Sequence, residues 1–198
     1  MPDLSAMIHR HHRATQAAPS PFISVCGRYL PFLYHFISTL IAAPHNFTAV
    51  VVDVEGKFDV TRLVNSNPGS RSGSTVEEKM SLPATPKDLA HVYVYRPGSR
   101  AREHVEAVLK GVDEFMVYGD HESKGRAWWG TVVVGGTGGD VDAGWKGWCR
   151  VEREAVAGLA VGISVEEALR ERGRRHEAVE QAGWSVASGW GAYVWKGK

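Results

Sequence analysis

The stretch VVVDVEGKFDVTRL, Val50 to Leu63, joins an unbroken β-branched apolar run to two carboxylates and a glycine, Asp53, Glu55 and Gly56. A short continuous apolar run suits a strand covered on both faces, which is the environment of a parallel sheet rather than of an antiparallel sheet wet on one side. In such sheets ligands gather just beyond the carboxyl ends of the strands. Asp53 and Glu55 therefore mark the place where a site would be built.

The elements on either side fit that reading. Pro31 is suited to the first turn of a helix, and the apolar sequence that follows runs to about Ala43, where Pro44 stops it. HVYVY, His91 to Tyr95, reads as a second strand and WWGTVVVGG, Trp128 to Gly136, as a third, with parallel strands expected over 48–54, 91–95 and 130–135. Between the last two, Val105, Val108, Leu109, Val112, Phe115 and Met116 recur at helical spacing, with Ser99 in position to cap that helix. Trp145, Gly147, Cys149 and Val151 alternate with Lys146, Trp148, Arg150 and Glu152 as in a half-exposed strand. Ser164 with Glu167 forms a capping box for a helix that ends before Gly183, and WSVASGWGAYVW reads as a terminal hairpin. Strands alternating with helices imply an α/β fold with a mainly parallel sheet and a C-terminal antiparallel hairpin.

Domain organisation follows from composition. Residues 1–21 read as a disordered basic N-terminus, 22–198 as a single domain, and about 65–90, rich in Pro, Gly and Ser, as a flexible insertion. With 23 basic and 22 acidic residues the net charge is +1, so the chain as a whole does not offer a cationic surface to nucleic acid. No acidic residue lies between Asp3 and Asp53, which also suits an Arg-bearing mitochondrial targeting segment. The apolar run Leu30–Ala43 has 14 residues, short of the roughly 20 needed to span a bilayer, so no membrane segment is expected. Cys26 and Cys149 have no metal-ligand spacing and read as free buried thiols of a reducing compartment; no metal site is expected.

The Asp53-Val54-Glu55-Gly56 strand end, followed by Phe58 and by Arg62-Leu63, resembles the second core strand of the RecA-like recombinase ATPases, in particular the eukaryotic recombinase paralogues of the X-ray-repair cross-complementing type. FLYHFISTLIAAP is similar to the helix after that family's phosphate-binding loop, and HVYVYRP to its third strand. The resemblance covers roughly residues 22–135 and implies a three-layer RecA-like core. It further implies Glu55 as the residue orienting the attacking water, Asp53 as a supporting strand-end residue, and ATP with magnesium as cofactors. Recombinase-family proteins and single-stranded or branched DNA would be the partners, in homologous-recombination repair in the nucleus.

Two departures bear on activity. The family's phosphate-binding loop needs Gly, four residues, Gly, Lys and Ser or Thr, because converging amides, an ammonium and a magnesium-bound hydroxyl grip the nucleotide. Here only Gly27 and Arg28 in SVCGRYLPF echo it, and glycine stands in VVVGG where the metal-binding aspartate belongs. The expectation is a subunit with a degenerate nucleotide site that binds ATP weakly or not at all; if active, it would be a DNA-dependent ATPase. The missing loop reads either as true degeneracy or as a misread gene segment over the first fifty residues. A second reading is a small α/β protein unrelated to DNA, with a mitochondrial targeting segment. For partner contacts, the Trp-rich strand 145–152 and the hairpin 184–196 are the candidates, since alternation leaves one row of large rings facing out unless another element covers it, with Trp148 and Trp195 the residues whose truncation tests this.

Overall fold

The computed structural model describes residues 25–65, 84–135, 149–158, 162–189 and 191–195. The chain divides into two compact units, Leu33–Lys146 forming one, and Met1–Phe32 with Gly147–Gly197 the other. The expected N-terminal tail, most of the insertion, the Gly136–Gly139 loop, Asp140, Asp142, Trp145 and Trp148 lie outside the described residues.

In the Leu33–Lys146 unit, strand β2 (Thr48–Asp53) is central in a three-stranded sheet of order β3-β2-β4, with β3 spanning Val92–Tyr95 and β4 Trp128–Val134. Both neighbours pair with β2 in parallel, as the apolar runs imply. Every residue of β2 is buried, which is why its sequence shows no polar alternation. Helix α3 (Arg102–Tyr118), which follows α1 (Tyr29–Ile41) and the single turn α2 (Arg62–Asn65), lays Val112 and Met116 against Val50, Val52 and Val54. The helix begins at Arg102 rather than at a Ser99 cap: the Ser99 hydroxyl accepts from Ala101 N, and Ala101 occupies the cap position.

β4 is an edge strand, and only Val134 in it is buried. Its register skips Trp129, since Thr48 pairs with Trp128 and Ala49 with Gly130, whose φ is +146°. The bulged Trp129 meets Phe36 of α1 edge to face at 4.9 Å. A 3₁₀ turn over Asp88–His91 precedes β3, and its first residue accepts from both the amide and the hydroxyl of Thr85. Arg126 ties this end of the unit together, donating to Asp88 Oδ1 at 2.9 Å and to the carbonyl of Ile41 at 2.8 Å.

The other unit holds a separate four-stranded sheet, order β1-β5-β6-β7, so the late strands do not extend the parallel sheet. Here β1 is Val25–Gly27, β5 Cys149–Arg153, β6 Trp184–Ser188 and β7 Gly191–Trp195. β1 runs parallel to β5, and the rest is antiparallel, including the expected hairpin β6-β7. Cys149 and Val151 are buried while Arg150 and Glu152 are exposed, in the alternation read from the sequence. Trp195 is a correction: it is buried at 6% exposure, stacked near Tyr193 and Trp184 and edge-on to Phe32 at 5.7 Å. Its strand turns Ala192 and Val194 outward, so the ring row is core and not a contact surface. Helix α4 (Val165–Gln181) is capped by Ser164, whose hydroxyl accepts from Glu167 N at 3.2 Å.

Both cysteines are free, Cys149 buried and Cys26 half-buried. Val25 pairs with Cys149 and Cys26 with Arg150, which puts the thiols on opposite faces of the sheet. Burial pushes the Cys149 thiol up to about 12, so it stays protonated and inert at neutral pH.

Candidate functional site

The carboxyl end of β2 is built around Asp53. Its side chain is 0% exposed, and its two oxygens accept from the amides of Lys57 at 3.1 Å and Phe58 at 2.9 Å. Four residues after the strand the chain therefore turns back onto its own carboxylate. Gly56 makes the return possible with φ +70°, a conformation that costs other residues steric energy. Phe58 is thereby driven into the core against Tyr34, with ring centroids 5.2 Å apart.

Neighbouring elements brace this turn. The Tyr34 hydroxyl, from α1, accepts from Asp59 N at 3.1 Å and reaches the Lys57 carbonyl at 3.5 Å. Arg96, directly after β3, donates to the Phe58 carbonyl at 3.2 Å and sets its Nε 3.7 Å from Asp53 Oδ2. Asp59 accepts from both the amide and the hydroxyl of Thr61, and these bonds hold its carboxyl below the usual range.

Glu55 leaves the strand on the way to this turn. The preceding amide, Val54 N, still bonds to Val134 O at 3.0 Å, so Glu55 sits immediately past the last paired residue. Its side chain crosses Gly135 at the end of β4, and a β-carbon at that glycine, whose φ is +77°, would collide with Glu55 Cγ. One carboxylate oxygen of Glu55 lies 2.7 Å from Lys57 Nζ, and the side chain is 25% exposed. Chemically this is an anion at a strand end, half in water, with an ammonium already against it.

Asp53 and Glu55 thus stand together at one strand end, as expected, with Gly135 of β4 against the Glu55 side chain. Gly27 and Arg28 belong to the other unit, where their backbone serves sheet pairing: Gly27, with φ +79°, passes against the carbonyl of Val151, and Arg28 N donates to that same oxygen at 2.8 Å. Amides engaged in this way do not make a phosphate cradle. Asp53 has both oxygens committed to backbone amides, and among the described residues no group of three His, Cys, Asp or Glu side chains is placed to hold a metal ion. The described residues at this strand end do not fit magnesium-bound ATP as the resemblance would require.

Sequence reasoning missed Tyr34, Lys57 and Arg96. For Tyr34 no signal exists, since an aromatic residue in a mainly apolar helix reads as core, whereas Arg96 was visible as the first cation past a strand end, at the end of β3 that corresponds to the place of Asp53 and Glu55 on β2. Among the described residues no helix is long and apolar enough to cross a membrane. Comparison of the chain with protein-family models, with curated proteins and with solved structures finds no match.

Proposed function

We propose that the chain is a recombinase-paralogue subunit with a RecA-like core that serves homologous-recombination DNA repair in the nucleus by binding other recombinase-family proteins, with single-stranded or branched DNA as a further ligand, and that it does so without hydrolysing ATP. The observation that carries the reading is Glu55 at the carboxyl end of a central, fully buried parallel strand, the position that the resemblance of Val50–Leu63 requires of the water-orienting carboxylate. The parallel pairing of β2 with both β3 and β4 supports it. So does the opposite facing of the two indoles of β4: Trp128 packs with the α3 cluster and Trp129 with Phe36 of α1, as helices on both faces of a sheet would have it.

The non-hydrolytic part of the reading rests on the departures. Without a phosphate-binding lysine loop and a metal aspartate, a strand-end carboxylate has no nucleotide to act on. The test is co-expression with recombinase-family proteins followed by size-exclusion chromatography. A stoichiometric complex that survives Glu55→Gln is expected. Failure to co-elute with any of them, with the chain itself folded by circular dichroism, would contradict the proposal.

A further inference from the structure

The loop from β3 to α3, residues 96–101, surrounds one serine with cations. Arg96 stands three residues before Ser99, Arg100 directly after it and Arg102 three residues after it, and no acidic residue lies between Tyr95 and Glu103. Arg96, Gly98 and Arg100 are exposed, and Ser99 is half-exposed. Ser99 Oγ accepts from Ala101 N at 3.1 Å, and among the described residues it donates to nothing. Its proton is therefore not committed to an acceptor in the fold.

The backbone here is held by little. Among the described residues no backbone group of 97–100 bonds to another backbone group, and Ala101 O, which takes His104 N and Val105 N, is where the helix begins. Pro97 has no amide to satisfy and Gly98 no side chain to accommodate, so the loop can extend without breaking a ladder. What must yield is the Arg96 bond to the Phe58 carbonyl and the Ser99 bond to Ala101. Local opening of such a segment costs far less than unfolding the sheet. Other described hydroxyls lack this setting. Thr61 and Thr85 donate to carboxylates, Ser164 is followed by Glu166 and Glu167, and Ser38, Thr48 and Ser123 are buried.

We propose that Ser99 is a phosphorylation site for a serine kinase whose substrate groove is acidic and reads Arg96, Arg100 and Arg102. The γ-phosphoryl of ATP passes to Ser99 Oγ as its bond to ADP breaks, and the hydroxyl proton goes to the kinase's base. The product carries a charge of about −2. It stands beside Arg100, which has no ion-pair partner among the described residues, and near Arg102, whose partner Glu106 is exposed. Modification therefore ties the loop to the start of α3, the helix that covers Val50, Val52 and Val54. The proposal stands on this loop alone and does not depend on the reading of Glu55.

Ser74 also follows an arginine, Arg71, by three residues, so the test uses the full chain carrying Ser74→Ala. Incubated with ATP and a purified serine kinase that selects basic substrates, it is expected to gain a phosphate that peptide fragmentation places on Ser99 and that Ser99→Ala abolishes. Arg96→Gln should slow the transfer roughly tenfold or more. A loosened fold would expose the serine further and speed the transfer, so a folding defect cannot imitate that result. The phosphorylated chain should melt about 2 °C or more above the unmodified one, and Arg100→Ala should remove most of the gain. No phosphate on Ser99 of the folded chain, a transfer indifferent to Arg96, or a phosphorylated chain that melts at or below the unmodified one would overturn the proposal.

Discussion

Glu55 crosses Gly135 at the ends of two hydrogen-bonded parallel strands, so closely that the glycine has no room for a β-carbon. The backbone there, at φ +77°, also disfavours any other residue. Gly135→Ala is expected to lower stability by about 1–3 kcal/mol and to dislodge Glu55 from Lys57. Because part of that cost is the collision, Glu55→Ala should relieve it, and the double variant should lose less than the sum of the singles by about 1 kcal/mol. Chemical denaturation of the four proteins completes the cycle, and strict additivity would show that the two residues do not touch.

Asp53 holds the turn through two amides and is fully enclosed. Asp53→Ala leaves those amides and the neighbouring Arg96 without their acceptor, at an expected cost of about 2–4 kcal/mol. Asp53→Asn keeps one acceptor oxygen and should cost less. A urea midpoint unchanged in Asp53→Ala would remove Asp53 from its role as the anchor of the turn.

His35 gives the fold a pH dependence of known sign. Burial lowers its imidazole from 6.5 to about 4, so between these values the unfolded chain binds the proton that the folded chain refuses. Its contribution is whole above pH 6.5 and is lost as pH falls toward 4, at most about 3 kcal/mol in all. His91, lowered by burial and by Arg126, acts in the same direction. Stability measured from pH 7 to pH 4 should fall, and His35→Gln should flatten much of that slope. A parent protein more stable at pH 4 than at pH 7 would contradict the assignment.

Trp195 tests the second unit. Buried beside Phe32, Trp184 and Tyr193, it should cost about 3–5 kcal/mol when cut to alanine. Val194→Ser, on the exposed side of the same strand, should change stability by about 0.5 kcal/mol or less. Thermal melts of the two variants separate the faces, and equal melting temperatures would mean that the strand is turned over.

What the sequence made legible is what periodicity encodes. The unbroken run Val50–Val52 could be covered on both sides only as a central strand, and the three- and four-residue spacing from Val105 to Met116 could only cover a sheet. Alternation in Cys149–Arg153 was equally plain, but in Gly191–Trp195 it gave two rows without saying which one faced inward. Val25–Gly27 was invisible as a strand, because three residues carry no period and the partner, β5, is remote in sequence. At the site, position was readable and role was not. A carboxylate at a strand end suits a ligand and a loop amide equally well, and only the return of Lys57 and Phe58 onto Asp53 distinguishes them.

The most direct measurement is a calorimetric titration of the full chain with ATP in the presence of magnesium. If Asp53 is committed to the turn and Glu55 to Lys57 and Gly135, no saturable heat should appear and the chain alone should release no phosphate. Micromolar binding with turnover that Glu55→Gln abolishes would contradict the account and restore the strand-end carboxylate as a catalytic group.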